Sequence, residues 1–513
     1  MSGALMICGT NSDAGKSVVT AGLCRVLRRR GFSVAPFKAQ NMSLNSVVTP
    51  DGAEIARAQA MQAAAAGVEP KAAMNPVLLK PSGERRSQVI VMGRARFEAD
   101  AGGYQALKAS LRQPVLEALA SLRARHDAVI CEGAGSPAEI NLRADDIANL
   151  GLARRAGIPA IVVGDIDRGG TLAALYGTLA LLEPEDQRLF AGFLVNKFRG
   201  DAEILRPGLE RLRELTGRPT LGVLPWRDGL RLDAEDGVAL EGSEAEGPPA
   251  LGADRIEVAV VRLRRISNFT DLDALAQEPG VSVRFTRSAG EIRRADLVVV
   301  PGTKATVLDL ALLRELGLDR ALAERADAGA PILGICGGYQ MLGAAIEDEV
   351  ESGSGRVRGL GLLPVDTRFE REKELGWHGG RVPVLGGVPV RGYEIHHGRL
   401  SRLGGATLIE SEAGEEGCTE GAVLGTSLHG VAECDDFRRA LLAWVAQRRG
   451  LTFVPGEANF AAGREARLDA LGDLIEKHAD LEALIALIEQ GPPVQAPAID
   501  AGAAVAPLVG GAT

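Results

Sequence analysis

Short, nearly continuous apolar runs alternate with segments of helical period from the start of this chain. In the first half the runs are ALMIC (4–8), SVAPF (33–37), DAVIC (127–131), IPAIVV (158–163), LFAGFLV (189–195) and TLGVL (220–224). Runs without polar alternation are buried on both faces, so they predict a parallel sheet covered by helices. The stretch DGVALEGSEAEGPPALGAD (236–254) interrupts the pattern with Gly, Pro and acidic residues and reads as a linker. Alternation resumes with IEVAVV (256–261), VSVRF (281–285), DLVVV (296–300) and PILGI (331–335). Residues 353–405, rich in Gly, read as short strands and turns, and VLGTSLHG (423–430) follows. A helix is predicted over 434–450, with apolar residues at 437, 441, 444 and 445 and Gly450 as its C-cap. Residues 471–490 predict one amphipathic helix or two, and the Pro- and Ala-rich end beyond them reads as disordered. The expected organisation is an α/β domain over 1–235, a linker over 236–254, a second α/β domain over 255–450 and a C-terminal segment over 451–513.

Composition narrows the class of function. A length of 513 residues suits two or three cores, because single cores stop growing near roughly 250–300 residues. A net charge of −9 argues against a nucleic-acid or membrane-surface role, either of which would want a basic face. The six cysteines are scattered with no CxxC pair, which disfavours both a disulfide scaffold and a zinc site. The start lacks the pattern of a signal peptide, and no apolar stretch approaches the roughly 20 residues that span a bilayer. A cytoplasmic protein is expected.

Two turns carry chemistry. GTNSDAGKS (9–17) follows a strand and opens a helix, the setting a phosphate loop requires. Thr10, Asn11, Asp13, Ala14 and Gly15 would wrap a polyphosphate with backbone N–H groups, reinforced by the helix dipole. Lys16 would neutralise its terminal oxygens and Ser17 would sit on Mg²⁺. Five residues, not four, separate Gly9 from Gly15, a longer loop that resembles dethiobiotin synthetase and its relatives. Glu132 ends the DAVICE strand, where a carboxylate could hold Mg²⁺ or simply meet solvent. Asn196, at another strand end, could read adenine or form a turn, and Asp13 could orient Mg²⁺ or make an Asx turn.

The second turn is GICGGYQML (334–342). Its G-x-C-x-G pattern is the cysteine form of a nucleophile elbow, with the Gly337 N–H aimed where an oxyanion would form. A packing cysteine, the natural reading of Cys8, Cys24 and Cys131, does not need this glycine context. A thiol nucleophile needs a base, and the residues alone leave His429, His396 and His397 as rivals.

Residues 255–450 resemble a class I (triad-type) glutamine amidotransferase of flavodoxin-like fold, in which a cysteine attacks the glutamine amide and ammonia is released. That resemblance selects His429 as partner of Cys336, and VVVPGTKAT (298–306) as the strand supplying a second oxyanion donor near Gly302. The family's third member, a Glu two residues after the histidine, is missing, since position 431 is Val. Glu433 or a backbone carbonyl is left for that role.

An ATP site and an ammonia source on one chain imply an amidoligase, with a shielded route for ammonia between its halves. Across nearly the whole chain the wording resembles the cobyric acid synthases of the cobalamin pathway. The carrying stretches include PFKAQNMSLNS (36–46), NPVLLKPSGERRSQVIVMG (75–93), EGAGSPAEINLRADDIANLG (132–151), DIDRGG (165–170), LVNKFRGD (194–201) and GYEIHHGR (392–399). The resemblance implies glutamine- and ATP-dependent amidation of the b, d, e and g carboxylates of adenosylcobyrinic acid a,c-diamide, giving adenosylcobyric acid. Such a corrinoid asks for polar and cationic groups, and Lys38, Gln40, Asn41, Ser43, Asn45 and Lys80 are the candidates, with Arg85 and Arg86 adding charge. Without the resemblance, the same residues read as a polar loop and a solvated charge run. The rivals are a synthase for the a and c carboxylates, another glutamine-dependent amidoligase, and a ParA-like nucleotide switch. A switch would have no use for Cys336 and His429.

Overall fold

In the computed structural model, which describes residues 3–83, 85–227, 229–230, 244–412, 414–493 and 497–499, the first apolar runs form one six-stranded sheet. Its order is Thr220–Pro225, Phe190–Phe198, Ala160–Asp165, Gly3–Gly9, Ala128–Glu132 and Val34–Phe37, all parallel. Gly3–Gly9 lies at the centre, where the order reverses, and its carboxyl end opens the crevice that such sheets offer to ligands. Alternate residues of that strand feed opposite cores. Leu5 and Ile7 face one helical layer, while Ala4, Met6 and Cys8 face the other.

Between Val34–Phe37 and Ala128–Glu132 the chain builds structure that periodicity does not announce. Gln40–Met42, Val77–Pro81, Arg86–Val91 and Arg94–Asp100 form a four-stranded sheet, and Ser46–Val48 pairs with Glu54–Ala56 as a separate hairpin. These strands are three to seven residues long, too short for a clear period.

The second sheet runs Glu244–Glu246, Val281–Thr286, Ile256–Val261, Leu297–Val300, Ile332–Ile335, Val423–Thr426 and Cys418–Glu420, with antiparallel strands at both edges. The linker reading of 236–254 therefore needs correction over part of its length. Residues 236–243 lie outside the described residues, but Glu244–Glu246 is an edge strand, recruited by the unpaired backbone of Val281–Thr286. A long hairpin, Val365–Val382 with Val388–Arg402, leaves this domain and reaches the first. Its Trp377 indole donates to the Val48 carbonyl at 2.8 Å.

The C-terminal segment also returns to the first domain. Phe460–His478 and Leu481–Gln490 are two helices that bury Leu468, Leu471, Ile475, Leu484 and Ile488 against Leu5, Ile7, Val19 and Leu23. Each such side chain is worth about 1.5–3 kcal/mol of apolar burial. Arg25 and Arg29 of the helix Lys16–Arg29 pair with Asp469 at 2.7 Å along the same seam. Of the end read as disordered, 494–496 and 500–513 lie outside the described residues. Among the described residues no helix is long and apolar enough to cross a membrane.

Candidate functional site

The phosphate loop leaves the central strand and turns into the helix Lys16–Arg29 at Gly15, whose φ of 96° is left-handed. A Cβ there would also lie 2.0 Å from Asn196 Nδ2, so glycine is required twice over. The Asn196 amide donates to the Ala14 carbonyl at 3.0 Å, which ties it to the loop. Lys16 is buried, and its ammonium donates to the carbonyls of Asn11 at 2.8 Å, Ser12 at 3.3 Å and Gly135 at 3.1 Å. The Thr10 N–H is held by Val163 O at 3.0 Å. Asp13 is exposed and pairs with Arg168 at 2.8 Å.

Behind the loop, Ser17 Oγ donates to Glu132 Oε1 at 2.8 Å, and Lys38 Nζ reaches the same oxygen at 2.9 Å. The Gln62 amide takes Glu132 Oε2 at 2.5 Å. Burial favours the neutral acid, but Lys38 and these hydrogen bonds outweigh it and hold Glu132 below the usual carboxylate range. Among the described residues no cluster of three or more His, Cys, Asp or Glu could cage a metal ion. The Ser17 hydroxyl beside a charged carboxylate nevertheless fits Mg²⁺, which takes one or two protein oxygens and fills its shell with water and phosphate.

The polar residues after the second strand do not converge on one pocket. Lys38 belongs to Glu132. The Gln40 amide oxygen accepts from Tyr104 at 2.6 Å, Asn41 donates to Gln59 at 2.8 Å, and Ser43 and Asn45 close a local turn. Lys80 donates to buried Glu54 at 2.8 Å, and Lys373 of the long hairpin takes the other Glu54 oxygen at 2.6 Å. Arg85 and Arg86 are exposed.

The elbow stands at the end of the strand Ile332–Ile335. Cys336 has φ 50° and ψ −111°, a backbone state costly for any residue with a Cβ. Its N–H is fixed by Thr426 O at 2.7 Å. A Cβ on Gly338 would lie 1.8 Å from Val300 O, so the short helix Gly337–Leu342 packs flush on the neighbouring strand end. Cys336 is 5% exposed and Cys131 is 0% exposed, yet their thiols diverge. Burial pushes Cys131 up to about 12. At Cys336 burial is outweighed by His429, His396 and the Gly337 N–H, and the thiol falls below its ordinary value.

His429 follows the strand Val423–Thr426 and lines the same cavity as Cys336. Its Nδ1–H donates to Asp271 Oδ2 at 2.6 Å, and the Gly430 N–H holds Asp271 Oδ1 at 2.9 Å. Asp271 thus holds the position from which a third triad member would orient His429. Glu433 does not, because it is spent on Arg57 and on Arg464 at 3.2 Å. Sequence reasoning missed Asp271 because it lies 158 residues from His429, and one more acid in SNFTDLDAL gives no signal. Burial works against a charged His429, but Asp271 and the cysteine outweigh it and lift the pKa to about 10. His396 is buried nearby with its Nε2 3.8 Å from Glu394, farther than a hydrogen bond, and so lacks an orienting partner of that quality. His397 is engaged by Glu370 O at 3.0 Å and faces Gln88, and burial pushes it down to about 4. At Gly302 a Cβ would fall 2.8 Å from the His429 ring, which explains a glycine beside the nucleophile. The cavity holding Cys336 and His429 is walled by Lys304, Lys373, Gln340 and His396, and also by Lys80 of the first domain.

Two family models match successive parts of the chain. Residues 5–240 match a family described as the CobQ/CobB/MinD/ParA nucleotide binding domain, and residues 257–437 match the CobB/CobQ-like glutamine amidotransferase domain. The cobyric acid synthase of Streptomyces coelicolor is 59% identical over 98% of this chain and 100% of its own length. That of Nocardia farcinica is 56% identical over 98% and 100%. Among solved structures, a glutamine amidotransferase overlaps 38% of the chain and 99% of its own at 22% identity, with a TM-score of 0.31.

Proposed function

The chain belongs to the cobyric acid synthase family, glutamine-dependent amidoligases of cobalamin biosynthesis, and from that premise we propose how its two sites divide the work. The nucleotide-binding domain uses ATP to activate a carboxylate of a corrinoid. The amidotransferase domain supplies the ammonia that displaces phosphate from it. The substrate in this reading is adenosylcobyrinic acid a,c-diamide, amidated at b, d, e and g in the cytoplasm. One observation carries the coupling: Lys80, from the first domain, forms part of the wall around Cys336, so ammonia is released against the synthetase half.

In the glutaminase half, the Cys336 thiolate attacks the glutamine amide carbon, and the Gly337 and Gly302 N–H groups receive the oxyanion. His429, charged and aligned by Asp271, gives its proton to the amide nitrogen, which departs as ammonia with a thioester left on Cys336. A water activated by the then neutral ring hydrolyses that thioester to glutamate and free Cys336. In the synthetase half, Lys16 and the loop N–H groups orient the transferred phosphoryl, and the dipole of the helix Lys16–Arg29 favours its charge. Bound Mg²⁺, held by Ser17 and Glu132, would neutralise phosphate charge, and Asp13, exposed at the loop's rim and paired with Arg168, is a further carboxylate of the loop. Asn196 keeps the loop in shape rather than reading the base.

The test is a mass-resolved amidation assay with the a,c-diamide, ATP and Mg²⁺, using glutamine or ammonium, on wild type and Cys336→Ala. Four successive amide products from glutamine, lost in the variant and restored by ammonium, are expected. A folded, ATP-binding wild type that amidates from neither source would overturn the substrate assignment.

A further inference from the structure

Asp271 sits on a turn that the second domain does not hold alone. The turn runs from Ser267, whose N–H is fixed by Gly302 O at 2.9 Å, into the short 3-10 helix Phe269–Leu272. Asn268 at its start has φ 49°, a left-handed state that needs outside support in a residue with a side chain. That support comes from the first domain. The Asn268 amide donates to Ser46 O at 2.7 Å, its oxygen accepts from the Ser46 N–H at 3.4 Å, and its N–H donates to Leu44 O at 3.4 Å. Two residues on, Thr270 Oγ1 donates to Asn45 Oδ1 at 3.0 Å. Tyr393, whose backbone pairs with that of His429, closes the ring by donating its hydroxyl to Ser46 O at 3.2 Å. Asn45, Asn268, Thr270 and Asp271 are all buried, at 1%, 2%, 1% and 2% exposure, so water cannot replace these bonds.

We infer that Asn45 and Ser46 of the nucleotide-binding domain are positioning residues for the glutaminase, acting through Asn268 and Thr270 to place Asp271 against His429. The inference rests on the reading of Cys336 and His429 as a glutaminase. It moves Asn45 from the corrinoid pocket suggested by its sequence neighbours to the seam between the domains. The connection continues toward the phosphate loop. The Asn45 carbonyl accepts from Arg57 N–H at 3.0 Å, Arg57 begins the helix Arg57–Ala66, and Gln62 of that helix binds Glu132. Hydrogen bonds at Glu132, Asn45 and Asp271, joined by the backbone of the helix Arg57–Ala66 and of residues 270–271, thus connect the phosphate-loop carboxylate with His429.

Thr270→Val keeps the shape of the side chain and removes its donor, while Thr270→Ser keeps the donor. In the full chain, Thr270→Val should lower kcat for glutamine hydrolysis about tenfold, the cost of one buried hydrogen bond, with KM nearly unchanged. Its alkaline limb should also move to lower pH, because a displaced Asp271 supports the His429 charge less. Thr270→Ser should restore both, and ammonium-supported amidation should stay at wild-type level throughout. Asn45→Ala breaks the same bond from the other domain and should reproduce the loss, and the double variant should lose no more than the worse single one. A Thr270→Val chain with wild-type kcat and pH profile overturns the inference, as does a double variant whose loss is the product of the two. A wild type that hydrolyses no glutamine overturns the glutaminase reading itself, and the inference with it.

Discussion

The two chemical turns occupy the same place in their sheets, each at the carboxyl end of an interior strand just before a helix, yet they are built by opposite rules. At Gly15 the chain takes φ 96° on a residue with no Cβ, and the loop carries exposed Asn11, Ser12 and Asp13. At Cys336 it takes φ 50° on a residue that must keep its side chain, and the whole triad is buried. In the proposed reading the phosphate loop holds its ligand through backbone N–H groups as well as Lys16, so its turn favours freedom of backbone. The elbow in that reading depends on one sulfur atom, so strain of about 1–3 kcal/mol is tolerated there and held in place by packing.

The sharpest break between them comes from removing one working atom at each. Cys336→Ala should lower glutamine hydrolysis and glutamine-supported amidation by roughly three orders of magnitude or more, with ammonium-supported amidation retained. Lys16→Ala should do the reverse. Amidation from either nitrogen source should fall on the order of 10²- to 10³-fold, the scale for losing one preorganised charge-stabilising group, while glutamine hydrolysis stays within a few-fold. If both variants lose the same activities, the two turns do not serve separate half-reactions. Nitrogen-source assays with the two purified variants check this directly.

Asp271→Asn tests whether the elbow's partner needs charge as well as shape. His429 is disfavoured as a cation by burial, but Asp271 and the cysteine lift it to about 10 from an ordinary 6.5. The imidazolium that protonates the leaving amide nitrogen in the proposed mechanism therefore persists until the pH rises through about 10, and the alkaline limb of the wild type is expected there. In Asp271→Asn kcat should fall on the order of 10²- to 10⁴-fold, and the limb should move toward neutrality. Because the folded pKa lies above the ordinary one, the His429 charge stabilises the wild type fully below 6.5 and loses that effect as pH rises through about 10. Denaturation midpoints across that window should fall with pH in the wild type and stay flatter in the variant.

How much of this was legible in the chain follows from the same contrast. The parallel strands of both large sheets, the phosphate loop and the elbow could be read locally, because each is a short string whose turn residues state its geometry. Asp271 could not, since what sets it apart is contact with a histidine far along the chain. Lys38 and Asn45 read as one polar cluster because they are close in sequence, with Lys80 adding charge from a separate stretch. In the fold they part: Lys38 to Glu132, Asn45 to Thr270, and Lys80, which lines the cavity around Cys336, to Glu54. The C-terminal helices were legible as amphipathic, but their partner was not, because an apolar stripe does not name the surface it covers.

The smallest effect isolates backbone strain. Cys336→Ala and Cys336→Gly both remove the sulfur and differ only in the Cβ. At φ 50° and ψ −111°, outside any helix interior, glycine relieves strain that alanine keeps, so Cys336→Gly should be the more stable of the two by about 1 kcal/mol. Gly15→Ala should move the other way. It adds a Cβ at φ 96° within 2.0 Å of the Asn196 amide, which must release the Ala14 carbonyl or push the loop aside, at about 1–2 kcal/mol. Denaturant midpoints of the three variants give both signs. Equal stability of the two Cys336 variants would mean that the elbow's unusual backbone state carries no strain, and that its glycines serve only close packing.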